Sequence, residues 1–172
     1  VEVGLGICLL KGEKMDFVVQ KAVELGVAFI QPLRSENCVV RYDENKGATR
    51  RERWQRVAEE AAKQCGRTMV PPVEPIRALK EWLMNFPLEA GLFLLYEREE
   101  RASLRSWLRS QEGRRYIALV GPEGGFTPEE AATAQAAGAV SVTFGPRILR
   151  AETAALAALA AVMYEKGDWE TA

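Results

Sequence analysis

The sequence predicts an α/β fold, with a mostly parallel sheet and helices on both faces. Short apolar runs alternate along the chain with longer segments of helical periodicity, which is the pattern of such folds. The run at 116–120 is continuously apolar, as in a strand buried on both faces. A length of 172 residues, with 48% hydrophobic and 27% charged residues, suits one ordinary globular domain.

The start of the chain predicts a β-α-β unit. Residues 3–10 have the composition of a strand, and 14–25 have the apolar spacing of an amphipathic helix. Gly26 ends this helix, and 27–33 form the next strand. Such a unit places its two strands in parallel.

The middle of the chain is mainly helical. A polar turn at 43–47 precedes a long helix at 49–64. Prolines at 71, 72 and 75 then force an extended connector, because the residue before a proline avoids helical backbone. Residues 77–84 are predicted to form a further helix.

The second half leads into a glycine-rich loop. A central strand at 91–96 and a short helix at 102–110 precede the strand at 116–120, after which 121–126 reads Gly-Pro-Glu-Gly-Gly-Phe. The three glycines allow backbone conformations closed to other residues and let a ligand approach the main chain. One carboxylate, Glu123, stands among them.

This loop is a tight strand-to-helix turn. Thr127 is suited to cap the next helix, Pro128 to occupy its first position, and Glu130 to complete a capping box. A P-loop is excluded because no Lys-Ser or Lys-Thr pair closes the stretch, and the glycine spacing does not match a dinucleotide fingerprint. A turn without any ligand is the alternative.

A second loop follows the same plan. The strand at 140–144 is followed by Gly-Pro-Arg-Ile-Leu-Arg-Ala-Glu-Thr at 145–153, which enters an Ala-rich helix at 152–166. In an open α/β sheet, loops at the carboxyl ends of neighbouring strands lie side by side, and ligands bind there.

The two loops resemble a known family. GPEGGF followed by G-x-R-I-L-R-x-E-T-A is similar to the bacterial 16S rRNA uridine-N3 methyltransferases of the SPOUT superfamily, and the stretches at 20–27 and 53–62 also match. The chain departs from the family at Ala151, where Thr is more frequent, and at Phe144, where Leu is usual.

The resemblance implies a C-terminal deep trefoil knot that binds S-adenosylmethionine, a homodimer, and a uridine of small-subunit ribosomal RNA as substrate. It also implies that 1–172 is the catalytic domain, without the PUA-like RNA-binding domain that family members carry before it. The residues expected to bind the cofactor are Leu95, Tyr96, Gly121, Pro122, Glu123, Gly124, Gly125, Phe144, Gly145, Ile148, Leu149, Arg150 and Thr153.

The implied chemistry assigns candidate catalytic residues. Uridine N3 becomes nucleophilic as its proton leaves, so the site needs a proton acceptor and a cation near the flanking carbonyl oxygens. Glu123 or Glu152 is the candidate acceptor, and Arg150 the candidate cation. Lys21 and Glu24 are expected to complete a composite site across the dimer interface.

Each candidate has a structural alternative. Glu123 can accept main-chain amides of its own loop, and Glu152 can be a first-turn carboxylate favoured by the helix dipole. Lys21 with Glu24 can be a surface ion pair of little energetic value. The Ala-rich last helix suits a dimer interface or, equally, a buried position in a monomer.

Composition excludes other classes of site. The chain contains no histidine, so a Ser-His or Cys-His nucleophilic centre and a mixed zinc site are excluded. Cys8, Cys38 and Cys65 lack metal or redox spacing and predict reduced thiols and a cytoplasmic location. We expect no metal, signal peptide or membrane segment.

Charge leaves a second function open. The net charge of -1 lacks the basic signature of many nucleic-acid binders. Two segments are nonetheless rich in cations, which are Arg50, Arg51, Arg53, Arg56, Lys63 and Arg67 in one and Arg98, Arg101, Arg105, Arg109, Arg114 and Arg115 in the other. Because both also contain glutamates, solvated helix faces are the simpler interpretation. The alternative function is a non-catalytic α/β module that binds RNA or a nucleotide.

Overall fold

The computed structural model describes residues 1–86, 90–96, 102–167 and 169. Across these ranges the strands are β1 (Glu2–Cys8), β2 (Phe29–Arg34), β3 (Arg77–Ala78), β4 (Gly91–Leu95), β5 (Arg115–Val120) and β6 (Val140–Val142). The helices are α1 (Lys14–Glu24), α2 (Glu44–Cys65), α3 (Leu79–Met84), α4 (Leu104–Ser110), α5 (Pro128–Ala136) and α6 (Ala151–Lys166).

All six strands form one parallel sheet in the order β3-β2-β1-β5-β4-β6. β1 is buried at consecutive positions, so both faces of the sheet are covered. The helices form two groups: in one, α1 contacts α2 and α6, and α6 contacts α4; in the other, α3 contacts α5. A Cβ at Gly6 of β1 would lie 3.3 Å from the indole of Trp82. The helix α3, which contains Trp82, therefore packs against the face of the sheet towards which that Cβ would point. The predicted α/β class and parallel sheet are confirmed.

Local signals placed several elements correctly. α1 matches its predicted range, and Gly26 follows it with a φ of 90°, a conformation that favours glycine. The capping box at the start of α5 is present: Thr127 Oγ1 accepts from the Glu130 N–H at 3.1 Å, and Glu130 Oε2 accepts from the Thr127 N–H at 3.0 Å. β4 lies between β5 and β6, as expected of an internal strand.

Several predicted boundaries were wrong. α2 begins at Glu44, not 49, because the Asp43 carboxylate accepts a hydrogen bond from the Lys46 N–H at 2.8 Å and caps the helix there. The predicted helix at 77–84 is split, because Arg77 and Ala78 pair with the end of β2 before α3 begins. β6 is also shorter than predicted and ends at Val142.

α6 is a core helix of its own chain. Ala155, Ala158, Leu159 and Val162 are fully buried, and the helix contacts β1, β5, α1 and α4. β6 lies on the far side of β4, so the chain returns from the sheet edge towards β5 and β1 to form α6. This return places the start of α6 beside the ends of β4 and β5. None of the helices described above is long and apolar enough to cross a membrane.

Candidate functional site

Three neighbouring strands end at one cavity. Leu95, Val120 and Val142, the last residues of β4, β5 and β6, line a cavity of about 420 Å³. We call it the first cavity. The loop at 121–126, here the first loop, forms one wall, and the loop at 143–150, the second loop, forms the opposite wall. The two Gly-Pro loops therefore meet, as their position after parallel strands predicts.

Most of the residues expected to bind a cofactor line this cavity. They are Leu95, Tyr96, Gly121, Pro122, Glu123, Gly125, Phe144, Gly145, Ile148, Leu149 and Arg150. Gly124 and Thr153 do not line it. A Cβ at Gly124 would lie 3.0 Å from the Cβ of Asn37, so Gly124 faces that residue, and Thr153 is exposed on α6.

Glu123 is held by the start of the chain. Its Oε1 accepts a hydrogen bond from the Lys11 N–H at 3.0 Å and another from Lys14 Nζ at 3.1 Å. Partial burial alone would raise the pKa of this carboxyl, but the amide of Lys11 and then the ammonium of Lys14 outweigh it and lower the pKa below its ordinary value. Glu123 therefore remains charged and is a poor proton acceptor.

The carboxylate of Glu152 differs from that of Glu123 in its hydrogen bonding. Its Oε2 is buried and has no hydrogen-bond partner among the described residues. Lys14 Nζ lies 3.8 Å from this oxygen, within ion-pair range but beyond a hydrogen bond. A buried carboxylate oxygen without a donor is costly, and a ligand N–H would satisfy it.

Lys14 thus stands between the two candidate carboxylates, and the sequence did not single it out. It is the first residue of α1, which the segment 9–13 connects to the end of β1, and it lines the first cavity. The β1–β5 pairing brings it to Glu123, which is 109 positions away in sequence. Only the strand order could have indicated this contact.

Further hydrogen bonds fix the first loop from behind. Asn37 Nδ2 donates to the carbonyl oxygens of Gly124, at 3.2 Å, and Gly125, at 3.1 Å. The Glu36 N–H donates to Glu130 Oε1 at 2.8 Å, which couples the same segment to the capping box of α5. The first loop is therefore held on both sides.

The second loop is more open. Ile148 is 85% exposed, and 146–149 form no hydrogen bond to another described residue. Arg150 is the N-cap residue of α6, makes no side-chain capping bond, and forms no ion pair within the described residues. The uncapped start of α6 and the Arg150 cation both border the cavity, which makes this side electropositive.

Lys21 does not join this cluster. Its Nζ donates to both carboxylate oxygens of Glu24, at 2.8 and 3.0 Å, and neither residue lines the first cavity. Within one chain the pair is therefore an ion pair on the surface of α1. The composite site across two chains stays a prediction.

Several cations of the two Arg-rich segments have structural partners. Arg51 Nε donates to the Val73 carbonyl, Arg67 Nη1 to the carbonyls of Val23 and Val27, and Arg53 Nε to Asp16. Arg109 Nε donates to Glu165. Arg98 and Arg101 lie outside the described residues.

The three cysteines occupy different environments. Cys8 and Cys38 are buried and Cys65 is exposed, all as free thiols. A hydrogen bond with the Cys8 thiol, offset in part by burial and aided by Ser35, lowers the pKa of Cys38 to about 6. Within the part of the chain that the structure describes, no three His, Cys, Asp or Glu side chains gather to hold a metal ion.

Comparison with known proteins identifies the family to which these features belong. Residues 1–163 match the RNA methyltransferase domain family. A ribosomal RNA small subunit methyltransferase E from Bacillus subtilis is 32% identical over 170 residues, covering 96% of this chain and 66% of the relative. The chain thus spans about two thirds of the length of that relative.

Solved structures agree with this result. The crystal structure of a ribosomal RNA small subunit methyltransferase E from Neisseria gonorrhoeae bound to S-adenosyl methionine superimposes with a TM-score of 0.89 at 41% identity, covering 98% of this chain and 68% of that one. A SpoU methyltransferase from Streptomyces viridochromogenes matches with a TM-score of 0.58 at 14% identity, covering 96% and 58%, which shows likeness of fold alone.

These matches confirm the family resemblance that the two loop motifs indicated. The matched span contains the first loop, the second loop and the start of α6. The first cavity is therefore built from the segments that carry the family motifs. The chain belongs to the RNA methyltransferase domain family.

Proposed function

We propose that this chain is the catalytic domain of an S-adenosylmethionine-dependent enzyme that methylates N3 of a uridine in 16S ribosomal RNA. The observation that carries the proposal is the meeting of the two Gly-Pro loops around one cavity. Support comes from the relatives named ribosomal RNA small subunit methyltransferase E, one of which is bound to S-adenosyl methionine in its crystal.

The first cavity suits that cofactor. A volume of about 420 Å³ lies in the usual range for cofactor sites, roughly 300 to 1,000 Å³. Leu95, Val142 and Phe144 give it apolar walls for an adenine ring, and the glycines at 121 and 125 allow close approach to backbone amide and carbonyl groups. The carboxylate of Glu123 lines the cavity and suits a cationic ligand, whereas Glu152 is not among the lining residues and follows Ala151, which is.

The proposal includes the knot that the resemblance implies. It is supported by the path of the chain after β5: β6 pairs with β4 at the edge of the sheet, and α6 then returns to contact β5 and β1. The first and second loops would be the crossing segments. In this arrangement the cofactor is held by backbone from both sides of the crossing.

We assign the proton acceptor to Glu152 and not to Glu123. Glu123 already accepts two hydrogen bonds and has a lowered pKa, so it gains little from taking a proton. Glu152 does not line the cavity itself but lies between Lys14 and Ala151, which do, and its buried oxygen has no donor, so a rotation towards the cavity would let it accept the imide N3–H of a uracil. Lys14 then positions both carboxylates without contacting the reacting atoms.

Arg150 supplies the opposite charge. As the proton leaves N3, negative charge spreads onto the two flanking carbonyl oxygens of the uracil. The Arg150 guanidinium and the uncapped N–H groups at the start of α6 are donors and positive charges on that side of the cavity. The cofactor, when bound, supplies an activated methyl group, which the deprotonated N3 accepts.

The same proposal covers assembly and location. Phe17 on α1 is 46% exposed and Tyr164 on α6 is 67% exposed, and these two helices pack side by side. Exposed aromatic side chains of this kind support the homodimer, with Lys21 and Glu24 near the interface. The proposed site of action is the cytoplasm. Sedimentation showing only a monomer at assay concentration would remove the composite site.

Two measurements test the function. Calorimetry with S-adenosylmethionine should give one binding event per chain, whereas a non-catalytic RNA-binding module would give none. Transfer of labelled methyl to small-subunit rRNA should then fall by roughly 10² to 10⁴-fold in Glu152→Gln and by about tenfold or less in Glu123→Gln. Glu59→Gln, an exposed carboxylate on α2 outside the first cavity, is the matched control. Equal losses in the Glu152 and Glu123 variants would refute the assignment of the acceptor.

A further inference from the structure

A second cavity opens at the same edge of the sheet as the first. It has a volume of about 460 Å³ and lies beside Arg34 and Ala78, the last residues of β2 and β3. Only β1 separates β2 from β5 in the sheet, so the nearest strand ends of the two cavities, those of β2 and β5, lie about 10 Å apart at strand spacing. Asn37, which follows the lining residues Ser35 and Glu36, donates hydrogen bonds to the first loop and so connects the segment beside the second cavity to the wall of the first.

The floor of the second cavity is apolar and its rim is charged. Leu79 and Leu83, both almost fully buried, lie among its lining residues. Three cations surround them, Arg34, Arg41 and Lys80, and all three are exposed. An apolar floor with a rim that carries both cations and carboxylates suits a ligand that has a flat apolar ring, one anionic group and hydrogen-bond donors.

None of the three cations forms an ion pair with a described residue, although Glu36, Glu129 and Glu130 also line the cavity. Arg34 and Lys80 form no side-chain hydrogen bond or ion pair with another described residue, and Arg41 Nη2 donates only to the Glu36 carbonyl, at 3.2 Å. Of the three carboxylates nearby, Glu130 is already satisfied by the N–H groups of Thr127 and Glu36. Glu36 and Glu129 remain exposed at the rim.

This charge pattern selects among anionic ligands. A polyphosphate would meet both Glu36 and Glu129 and be repelled, whereas a single phosphodiester carries one negative charge. Ribose hydroxyls, which RNA has and DNA lacks at the 2′ position, can donate to the remaining carboxylates. The combination fits one nucleotide within an RNA strand.

We propose that the second cavity binds a nucleotide of the RNA substrate beside the target uridine. Its phosphodiester lies on Arg34 and Lys80, and its base lies over Leu79 and Leu83. The inference rests on the proposed function, since it gives the second cavity a place next to the methylation site. Asn37 and the first loop then lie between two nucleotides of one strand and keep their spacing.

The test measures RNA affinity and cofactor affinity in the same variants. Anisotropy with a labelled, uridine-containing single-stranded RNA would be recorded for Arg34→Gln/Lys80→Gln across a series of salt concentrations. The matched control is Lys63→Gln/Arg114→Gln, which also removes two exposed cations but outside both cavities. Calorimetry with S-adenosylmethionine on every variant verifies folding and the first cavity.

We expect the cavity variant to bind RNA about tenfold more weakly and the control within twofold of the parent. The slope of log affinity against log salt should also become shallower by about 0.7 for each phosphate that the variant no longer neutralises. Equal reductions in RNA affinity for both variants would overturn the inference, because they would indicate general electrostatics. So would displacement of the RNA by inorganic phosphate at constant ionic strength, which would indicate a small-anion site.

The two proposals fail separately. A parent chain that binds no S-adenosylmethionine would overturn the methyltransferase function, whatever the RNA data show. Normal cofactor affinity in all variants, with no difference in RNA affinity between the two pairs, would overturn only the nucleotide site. Methyl transfer by the cavity variant should be restored at saturating RNA, because its cations do not border the first cavity.

Discussion

The two loops that form the first cavity differ in how firmly the rest of the chain holds them. The first loop is tied at Glu123 by Lys11 and Lys14, and at Gly124 and Gly125 by Asn37. The second loop contains the 85% exposed Ile148 and has few internal hydrogen bonds among the described residues. A fixed wall can orient a ligand, and an open wall can admit and release it.

The comparison assigns a different task to each wall. The fixed wall holds a charged carboxylate that does not need to change its protonation state. The open wall ends at Arg150 and the start of α6, which in the proposed mechanism stabilise charge only while the reaction proceeds. Substitutions in the two loops should therefore affect different quantities, which the following predictions measure.

The largest effect is expected at the end of the open wall. Arg150→Ala should reduce methyl transfer to rRNA by about 10²-fold, the usual loss when one preorganised donor to a developing anion is removed. Arg147→Ala, in the same loop, is the matched control and should stay within about fivefold. The rate at saturating S-adenosylmethionine measures this, and a parent-like rate for Arg150→Ala would show that its cation has no part in the reaction.

Alanine substitution of one glycine in each loop compares the two walls directly. Gly125 has a φ of 70° and Gly145 a φ of 93°, so alanine is strained at both. Gly125→Ala should lower the free energy of unfolding by about 1 to 2 kcal/mol, because the tied first loop cannot relax. Gly145→Ala should lower it by less than about 0.5 kcal/mol and instead weaken cofactor binding, because the second loop can change shape.

The control for this pair lies outside the cavity. Gly138, at the end of α5, has a φ of 95°, and a Cβ there would meet nothing within 4 Å. Gly138→Ala should therefore cost stability without any change in cofactor affinity. Urea unfolding and calorimetry supply the two quantities. Equal stability losses at 125 and 145 would contradict the difference between the walls.

Much of this arrangement could be predicted from sequence, and the reason is local. The capping box at Thr127 and Glu130 and the apolar run of β5 are contiguous signals, and they located the first loop. The apolar residues of β6 and the Ala-rich sequence of α6 are also contiguous signals, and they located the second loop. Because carboxyl ends of parallel strands share one edge, the meeting of the loops followed from these local signals.

The missed features depend on strand order. Lys14 and Asn37 reach the first loop only because β1 lies beside β5, a pairing that no local pattern reveals. β3 was missed for the same reason, since two residues pair with the distant β2. The start of α2 was missed because Gly47 resembles a turn residue, although glycine inside a helix costs only about 1 kcal/mol relative to alanine.

We expect an effect of intermediate size when the hydrogen bonds from Asn37 to the first loop are removed. Asn37→Ala removes two hydrogen bonds and should lower the free energy of unfolding by about 1 kcal/mol, with a severalfold loss of cofactor affinity. Asn85→Ala is the control, because among the described residues Asn85 Nδ2 donates to the nearby Glu81 carbonyl alone. A loss of stability at Asn37 without any loss of affinity would show that the tie does not position the loop.

The smallest effect concerns the pH dependence of the fixed wall. The folded pKa of Glu123 is lower than its ordinary value, so its charge stabilises the fold above pH about 4.3, and this contribution is lost as the pH falls through the folded pKa. Glu123→Gln should therefore be less stable than the parent at pH 7, by a few tenths of a kcal/mol because the pair with Lys14 is partly exposed. The difference in stability between the two proteins should therefore shrink as the pH falls through the folded pKa of Glu123, which urea unfolding over a series of pH values measures.

Added salt should distinguish the ion pair of Glu123 with Lys14 from the hydrogen bonds of Asn37. Added salt screens the attraction between Glu123 and Lys14, so the difference at pH 7 should shrink as ionic strength rises. The effect of Asn37→Ala should not, because its hydrogen bonds join uncharged groups. If both differences fall in parallel with salt, the first loop is held mainly by general electrostatics. If only the Glu123 difference falls, an ionic tie and a neutral tie hold the same wall independently, and each can be removed without releasing the other.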